Sequence, residues 1–113
     1  MQYCLTLELK NAPQLIRLYE AYHQAGQVWP EVIKSIKDSG IKNMSIYRFN
    51  TQLMMILDVD QSFSFDGKAK NDLNNDKVQE WELLMEKFQK VDDVRGNKTK
   101  WQLMDRIFSL HEQ

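Results

Sequence analysis

The sequence predicts an α+β fold with an antiparallel sheet, and three observations support this prediction. Residues 3–10 alternate apolar and polar side chains, which is typical of a strand with one buried face. Apolar residues then recur at helical spacing in two segments, residues 13–26 and 29–40. Residues 44–49 and 53–59 favour strands, and the short polar link between them predicts a hairpin.

The first half of the chain contains clear start and stop signals for these elements. Pro13 lies near the start of the first predicted helix, where its missing N–H is not needed, and Gly26 ends that helix. Pro30 is tolerated because it falls in the first turn of the second predicted helix, and Gly40 closes it. We therefore expect a strand followed by two short helices and then the hairpin.

The second half of the chain predicts one more helix and one more strand. Residues 61–76 are polar and contain Gly67, so we expect a loop that holds at most a short helix. Apolar residues at helical spacing predict a third helix from about residue 76 to residue 90. Residues 92–100 are expected to form a polar surface loop whose basic residues are solvated, and residues 103–110 to form the final strand.

The resulting order is strand, helical pair, strand, strand, helix, strand. In a chain of this length, that order predicts a ferredoxin-like sandwich, a four-stranded antiparallel sheet with helices on one face. Tyr47 and Phe49 point opposite to Met44 and Ile46 in the second strand, so one of these pairs lies on the uncovered face. An apolar uncovered face needs a partner, and we therefore expect a homodimer.

Length, charge and cysteine content exclude several classes of protein. The 113 residues fit a single domain, residues 1–113, and a net charge of -1 does not favour binding to nucleic acid or to an anionic membrane. No signal-peptide pattern or membrane-spanning stretch is present. The single cysteine, Cys4, fits a reducing cytoplasm. Neither histidine, His23 nor His111, has a metal-ligand partner at the usual spacing, so we expect no zinc site.

Tyr19 and His23 are the strongest candidates for chemistry. They lie four residues apart and so share one face of the predicted first helix. Imidazole exchanges protons near neutral pH, and a phenol donates or relays a hydrogen bond. From spacing alone, such a pair is more often a packing feature at the edge of the core than a site.

Four motifs in the same order give this chain a resemblance to a known family. They are Tyr19-x-x-Tyr22-His23, Val28-Trp29-Pro30-Glu31-Val32, Gly40-Ile41-Lys42-Asn43-Met44-Ser45-Ile46-Tyr47 and Trp81-Glu82-Leu83-Leu84-Met85. Together they resemble the L-rhamnose mutarotase family and its L-fucose mutarotase relatives, over nearly the whole chain. The resemblance implies a ferredoxin-like fold and a homodimer whose two sheets pack face to face as a dimeric α/β barrel. It also implies no metal or organic cofactor and the interconversion of the α and β anomers of a 6-deoxy-L-hexose.

The resemblance also implies roles for individual residues. His23 stands where the family has its catalytic proton donor, Tyr19 matches a tyrosine that contacts the sugar, and Trp81 matches an aromatic sugar-binding position. We expect Tyr22, Met44 and Glu82 to complete the substrate site. Met44 replaces a tyrosine of rhamnose-type members, Glu82 replaces a second tryptophan, and the spacer 24–28 is longer, which is somewhat closer to the fucose-type relatives.

Anomer exchange needs one acid and one base, because the hemiacetal must open and close again. His23 as imidazolium would protonate the ring oxygen, Tyr19 would hold or relay the hydroxyl proton, and Glu8 or Glu31 would orient the imidazole. Two other classes of function remain open on this fold. One is a non-catalytic dimeric sugar-binding or regulatory domain, and the other is a small cofactor-free oxygenase of the dimeric α/β-barrel type.

Overall fold

The computed structural model describes residues 1–94 and 97–113, with side chains described outside residues 92–99. It contains four α-helices, six strands and a short 3₁₀ turn at Leu110–Glu112. The elements in chain order are β1 (Gln2–Glu8), α1 (Pro13–Tyr22), α2 (Pro30–Asp38), β2 (Ile41–Phe49), β3 (Gln52–Val59), α3 (Phe65–Leu73), α4 (Asp76–Glu86), β4 (Asp92–Val94), β5 (Asn97–Thr99) and β6 (Gln102–Leu103).

The main sheet has four strands in the order β2-β3-β1-β6, and all neighbours are antiparallel. The hairpin aligns Ile46 with Met55 and Met44 with Leu57, and β1 aligns Leu5 with the same Met55. A register shift between Ile41 and Asn43 marks a bulge at the start of β2. The α+β prediction with a four-stranded antiparallel sheet is confirmed, and the strand order is that of a ferredoxin-like fold.

The helices cover one face of this sheet, and the core lies between the two layers. The first core cluster joins Leu7, Leu9 and Leu53 of the sheet to Tyr19 of α1 and Trp81 of α4. The second cluster lies toward the other end of the strands, and its buried members are Leu5, Ile41, Leu57 and Val59. Period-two alternation places these strand residues on the same face, which is why the helices pack there.

No helix among the described residues packs against the opposite face of the sheet. Tyr47 pairs with Met54, and Phe49 pairs with Gln52 at the hairpin end. Tyr47 is 58% exposed, Phe49 is 78% exposed and Met54 is 37% exposed. Of the two pairs considered from the sequence, Met44 and Ile46 therefore lie on the helix-covered face, and Tyr47 and Phe49 on the uncovered face.

Three segments differ from the prediction. Residues 61–76, predicted as a loop that holds at most a short helix, contain the nine-residue α3, because the Ser64 hydroxyl caps the helix by accepting from the Gly67 N–H at 3.0 Å. Phe65 also anchors this helix against Tyr3, with ring centroids 5.0 Å apart. The four residues Ser64, Phe65, Gly67 and Tyr3 thus decide a helix that composition alone disfavours.

The predicted final strand, residues 103–110, is present as the fourth strand of the sheet, but it is much shorter than predicted. Only Gln102–Leu103 pairs with β1, and the Met104 N–H adds one bond to the Cys4 carbonyl at 2.8 Å. Ile107 and Phe108 are exposed beyond that point, since no strand of this chain extends alongside them within the described residues. In the predicted polar loop, β4 and β5 pair with each other, and residues 95 and 96 lie outside the described part of the chain.

Gly40 is expected to tolerate a side chain less well than Gly26, although both have positive φ angles of 93° and 82°. Alanine at either position should cost about 1–2 kcal/mol for the left-handed backbone. At Gly40, a Cβ would also lie 2.6 Å from both Asp60 Oδ1 and Ser62 Oγ and disturb their hydrogen bond, whereas nothing lies within 4 Å at Gly26. Urea denaturation should therefore show a larger loss of unfolding free energy for Gly40→Ala, and equal losses would contradict this packing argument.

Candidate functional site

The last turn of α1 places Tyr19 and His23 against each other. Their ring centroids are 4.3 Å apart with an interplanar angle of 32°, which confirms the shared helical face. The His23 Nδ1 atom lies 2.7 Å from the Tyr19 carbonyl oxygen. A carbonyl only accepts, so Nδ1–H is the donor and Nε2 is the nitrogen left for chemistry.

Trp81 of α4 packs against this pair and against both neighbouring helices. Its ring lies 5.6 Å from His23, 6.2 Å from Tyr22 and 5.3 Å from Trp29, each in an edge-to-face arrangement. Phe88 closes the group, 5.9 Å from Tyr19 and 5.8 Å from Tyr22. We call these rings the aromatic cluster; its members are Tyr19, Tyr22, His23, Trp29, Trp81 and Phe88.

The aromatic cluster lies on the helix-covered side of the sheet. Tyr19 is 4% exposed and Trp81 is 7% exposed, and both belong to the core cluster that contains Leu7 and Leu53. Tyr22 and His23 are half-buried and form part of the accessible edge. The helices α1 and α4 therefore turn these rings toward the helix-covered side of the sheet and away from its uncovered face.

Burial shifts the pKa values of both proton-exchanging groups. It lowers the pKa of His23 below 6.5, and the hydrogen bond to the Tyr19 carbonyl opposes this effect only in part. Burial raises the pKa of Tyr19 above 10.0, against a smaller lowering by a hydrogen bond from the Gln89 side chain. At neutral pH the imidazole is therefore mainly neutral and the phenol is protonated.

The lowered pKa of His23 predicts a loss of stability in acid. The unfolded chain binds the proton more readily, so the contribution of the neutral imidazole is complete above pH 6.5 and is lost as the pH falls through the lower folded pKa. We expect His23→Phe to flatten this decline in urea denaturation between about pH 5 and pH 8. His111→Phe should keep the wild-type slope, and an unchanged slope in His23→Phe would contradict the assignment.

The remaining predicted site residues lie elsewhere. Met44 packs on the second core cluster, which includes Leu57. Glu82 is half-buried beside charged groups, with Lys100 Nζ 3.9 Å from its carboxylate, and burial raises its pKa. The described contacts thus unite Tyr19, Tyr22, His23 and Trp81, but they do not bring Met44 or Glu82 to the imidazole.

The predicted carboxylate partner of His23 is replaced by the Tyr19 carbonyl. Glu8 pairs instead with Lys90 at 3.7 Å, and Glu31 lines a cavity of about 220 Å³ with Trp29 and Lys77. The Lys77 ammonium also lies 5.9 Å from the centroid of the Trp29 ring. This cavity borders the aromatic cluster because Trp29 belongs to both.

Gln89 is a residue of this region that sequence reasoning missed. It is 4% exposed, and its side chain lowers the pKa of Tyr19 against the larger effect of burial. Its position four residues after Met85, on the buried face of the predicted third helix, was the available signal.

The described residues contain no group of three or more His, Cys, Asp or Glu side chains arranged to hold a metal ion. None of their helices combines the length and the apolar character that crossing a membrane requires.

Comparison with known proteins gives the family. The sequence model of L-rhamnose mutarotase matches residues 2–110. An L-fucose mutarotase of Xanthomonas campestris pv. campestris is 36% identical over 109 residues, which cover 96% of this chain and 87% of that protein. A Dictyostelium discoideum protein of the UPF0734 group is 34% identical over 113 residues, covering 96% of this chain and 88% of its own length.

A solved structure shares the fold. The crystal structure of an L-rhamnose mutarotase from Formosa agariphila has a TM-score of 0.72 and 19% sequence identity, with 97% of this chain and 98% of that chain covered. Fold and sequence together define a mutarotase, an isomerase that acts on sugar anomers. The chain belongs to the L-rhamnose mutarotase family, which confirms the resemblance found in its motifs.

Proposed function

We propose that this protein interconverts the α and β anomers of a 6-deoxy-L-hexose, L-rhamnose or L-fucose, with His23 and Tyr19 as the proton-exchanging pair. The observation that carries this proposal is the His23 ring, held by its Nδ1–H on the Tyr19 carbonyl at 2.7 Å so that Nε2 is available. The L-fucose mutarotase of Xanthomonas campestris supports the choice of sugars, as does the family match.

The pKa directions favour a division of roles opposite to the one expected from the sequence. Neutral His23 accepts the proton of the anomeric hydroxyl at Nε2, and protonated Tyr19 donates its proton to the ring oxygen. The C1–O5 bond breaks and the open aldehyde rotates about the C1–C2 bond. Reclosure returns both protons in reverse, so one acid and one base complete the cycle without net change in the protein.

Trp81 and Tyr22 form the apolar wall of the proposed site. Trp81 is largely buried, and it holds the imidazole by an edge-to-face contact at 5.6 Å. Tyr22 is half-buried beside it and offers a ring to the hydrogen-bearing face of the sugar. Direct sugar contacts by Met44 and Glu82 receive less support from the geometry, because both lie in other groups of residues.

Exchange NMR tests this proposal directly. Saturation of the α-anomeric proton of L-rhamnose or L-fucose should transfer to the β signal in the presence of the protein, and faster transfer identifies the preferred sugar. L-galactose, which carries a hydroxyl where L-fucose has hydrogen at C6, tests the need for the 6-deoxy group. Saturable binding without transfer would instead support a sugar-binding domain, and neither binding nor transfer would reject both functions.

We also propose a cytoplasmic homodimer that buries the uncovered face of the sheet. Exposed Tyr47, Phe49 and Met54 give this face an apolar surface, and the free Cys4 fits a reducing compartment. Light scattering should then give about twice the 13.5 kDa mass of one chain. Phe49→Glu should shift the mass toward the monomer, whereas Leu73→Glu, on exposed α3, should not; a monomeric wild type would contradict the proposal.

A further inference from the structure

A cavity of about 520 Å³ lies between α1 and the turn that joins β2 to β3. Its lining residues belong to segments 11–20 and 48–51, and within the described chain they include no member of the aromatic cluster. Strand β2 is an edge of the sheet, so the cavity opens to solvent beside it. Small-molecule sites have volumes of about 300–1,000 Å³, so this cavity is large enough for a ligand of its own.

Arg48 enters this cavity in a defined orientation. It lies opposite Leu53, a buried residue of the helix-covered face, so its side chain points to that face as well. Its Nε atom lies 3.3 Å from a carboxylate oxygen of Glu20 on α1, and its Nη1–H donates to the Asn50 carbonyl at 2.9 Å. These contacts hold the guanidinium group and leave its Nη2 hydrogens for a ligand.

Arg17 brings a second guanidinium group to the same cavity. It lies three residues before Glu20 on α1, so the two side chains are neighbours on one face of the helix. No described residue forms an ion pair or a side-chain hydrogen bond with Arg17. Two guanidinium groups against one carboxylate leave the lining with a net positive charge, which favours an anion.

We propose that this cavity binds a phosphorylated monosaccharide, with Arg17 and Arg48 on the phosphate group. A phosphate monoester carries a charge of about −1.5 to −2 at pH 7, and guanidinium groups match the geometry of its oxygens. Bare phosphate would fill only part of the cavity, whereas the side chains of Asn11, Asn50 and Thr51 suit the hydroxyl groups of an attached sugar. This site does not depend on the proposed anomer exchange.

Glu20 competes with the phosphate group for Arg48. The Glu20 side chain is 50% exposed and that of Arg48 is 36% exposed, and an ion pair of this kind is weak. Glu20→Gln removes a negative charge from the lining and keeps an acceptor for the Arg48 Nε–H. This variant should therefore bind the sugar phosphate about fivefold more tightly than the wild type.

NMR signals of the arginine Nε–H groups test the proposal, assigned by their absence in Arg17→Gln and Arg48→Gln. Both arginines are exposed, so these variants should stay folded. L-fucose 1-phosphate, which cannot exchange anomers, should shift both signals saturably, and L-fucose at the same concentration should not. Arg48→Gln should weaken binding at least about tenfold. Arg106→Gln is the matched control, since Arg106 pairs with Glu112 outside the cavity.

Each other outcome overturns the proposal. Equal shifts of the Arg106 signal would show general ionic binding, and equal shifts with L-fucose would show that the phosphate group is not recognised. If inorganic phosphate bound as tightly as the sugar phosphate, the sugar would make no useful contact. Binding that is no tighter in Glu20→Gln would contradict the competition for Arg48. Anomer exchange is measured separately, so its absence would leave this test unaffected.

Discussion

His23→Ala is expected to lower anomer exchange by about 10²–10⁴-fold while the chain stays folded. The reason is that Nε2 of His23 is the neutral base of the proposed reaction, and alanine offers no proton acceptor. Saturation-transfer NMR at fixed pH measures the exchange rate, and circular dichroism reports the fold. The imidazole is only half-buried, so its removal should cost much less stability than a core truncation.

The matched control is His111→Ala, which removes the other histidine from the exposed C-terminal turn. This variant should exchange anomers at the wild-type rate. Folded His23→Ala protein with wild-type exchange would remove His23 from the mechanism and leave the family membership intact. A similar loss of anomer exchange in both variants would show that the loss is not specific to His23.

Trp81→Ala is expected to lower the free energy of unfolding by about 3–5 kcal/mol. The ring is 7% exposed and contacts Tyr22, His23 and Trp29, so its removal leaves a cavity that these side chains cannot fill without moving. Domains of this size are stable by about 5–15 kcal/mol, so the variant should be close to unfolding. Urea denaturation followed by circular dichroism measures the change.

Leu83→Ala is the control on the same helix, because Leu83 is 61% exposed and should change the free energy by less than about 0.5 kcal/mol. Trp81→Phe keeps an aromatic ring, so it separates the packing role of Trp81 from its proposed role in sugar binding. A raised KM with nearly normal stability would indicate sugar contact. If Trp81→Ala lost less than about 1 kcal/mol, packing would not be the main role of the residue.

Much of the fold could be predicted from local patterns. Alternation in β1 and in the β2–β3 hairpin correctly predicted which side chains share a face of the sheet. Residues two apart on a strand point to the same face, whatever surrounds the strand. Pro13 and Pro30 begin α1 and α2 as expected. The helix α3 was predicted as a short helix at most, and it runs for nine residues because its Ser64 cap and its Phe65 contact with Tyr3 matter more than the low helix propensity of its residues.

The C-terminal strand is shorter than predicted for a related reason. Residues 103–110 have strand-like composition, but a strand needs a neighbour, and β1 offers pairing only as far as Met104. Whether an apolar segment such as Ile107 and Phe108 becomes a strand therefore depends on what lies beside it. Local sequence does not contain that information.

The candidate site also has one part that the sequence predicts and another part that depends on tertiary packing. Helical spacing by itself determined that Tyr19 and His23 would be neighbours, since residues four apart on a helix always meet. Only the tertiary structure decided that Trp81 packs on the imidazole, that Gln89 is buried just beyond α4 and that Met44 and Glu82 lie elsewhere. Those contacts join α1 to α4 and to the chain beyond it, and their geometry depends on how the helices cross the sheet, which no local pattern records.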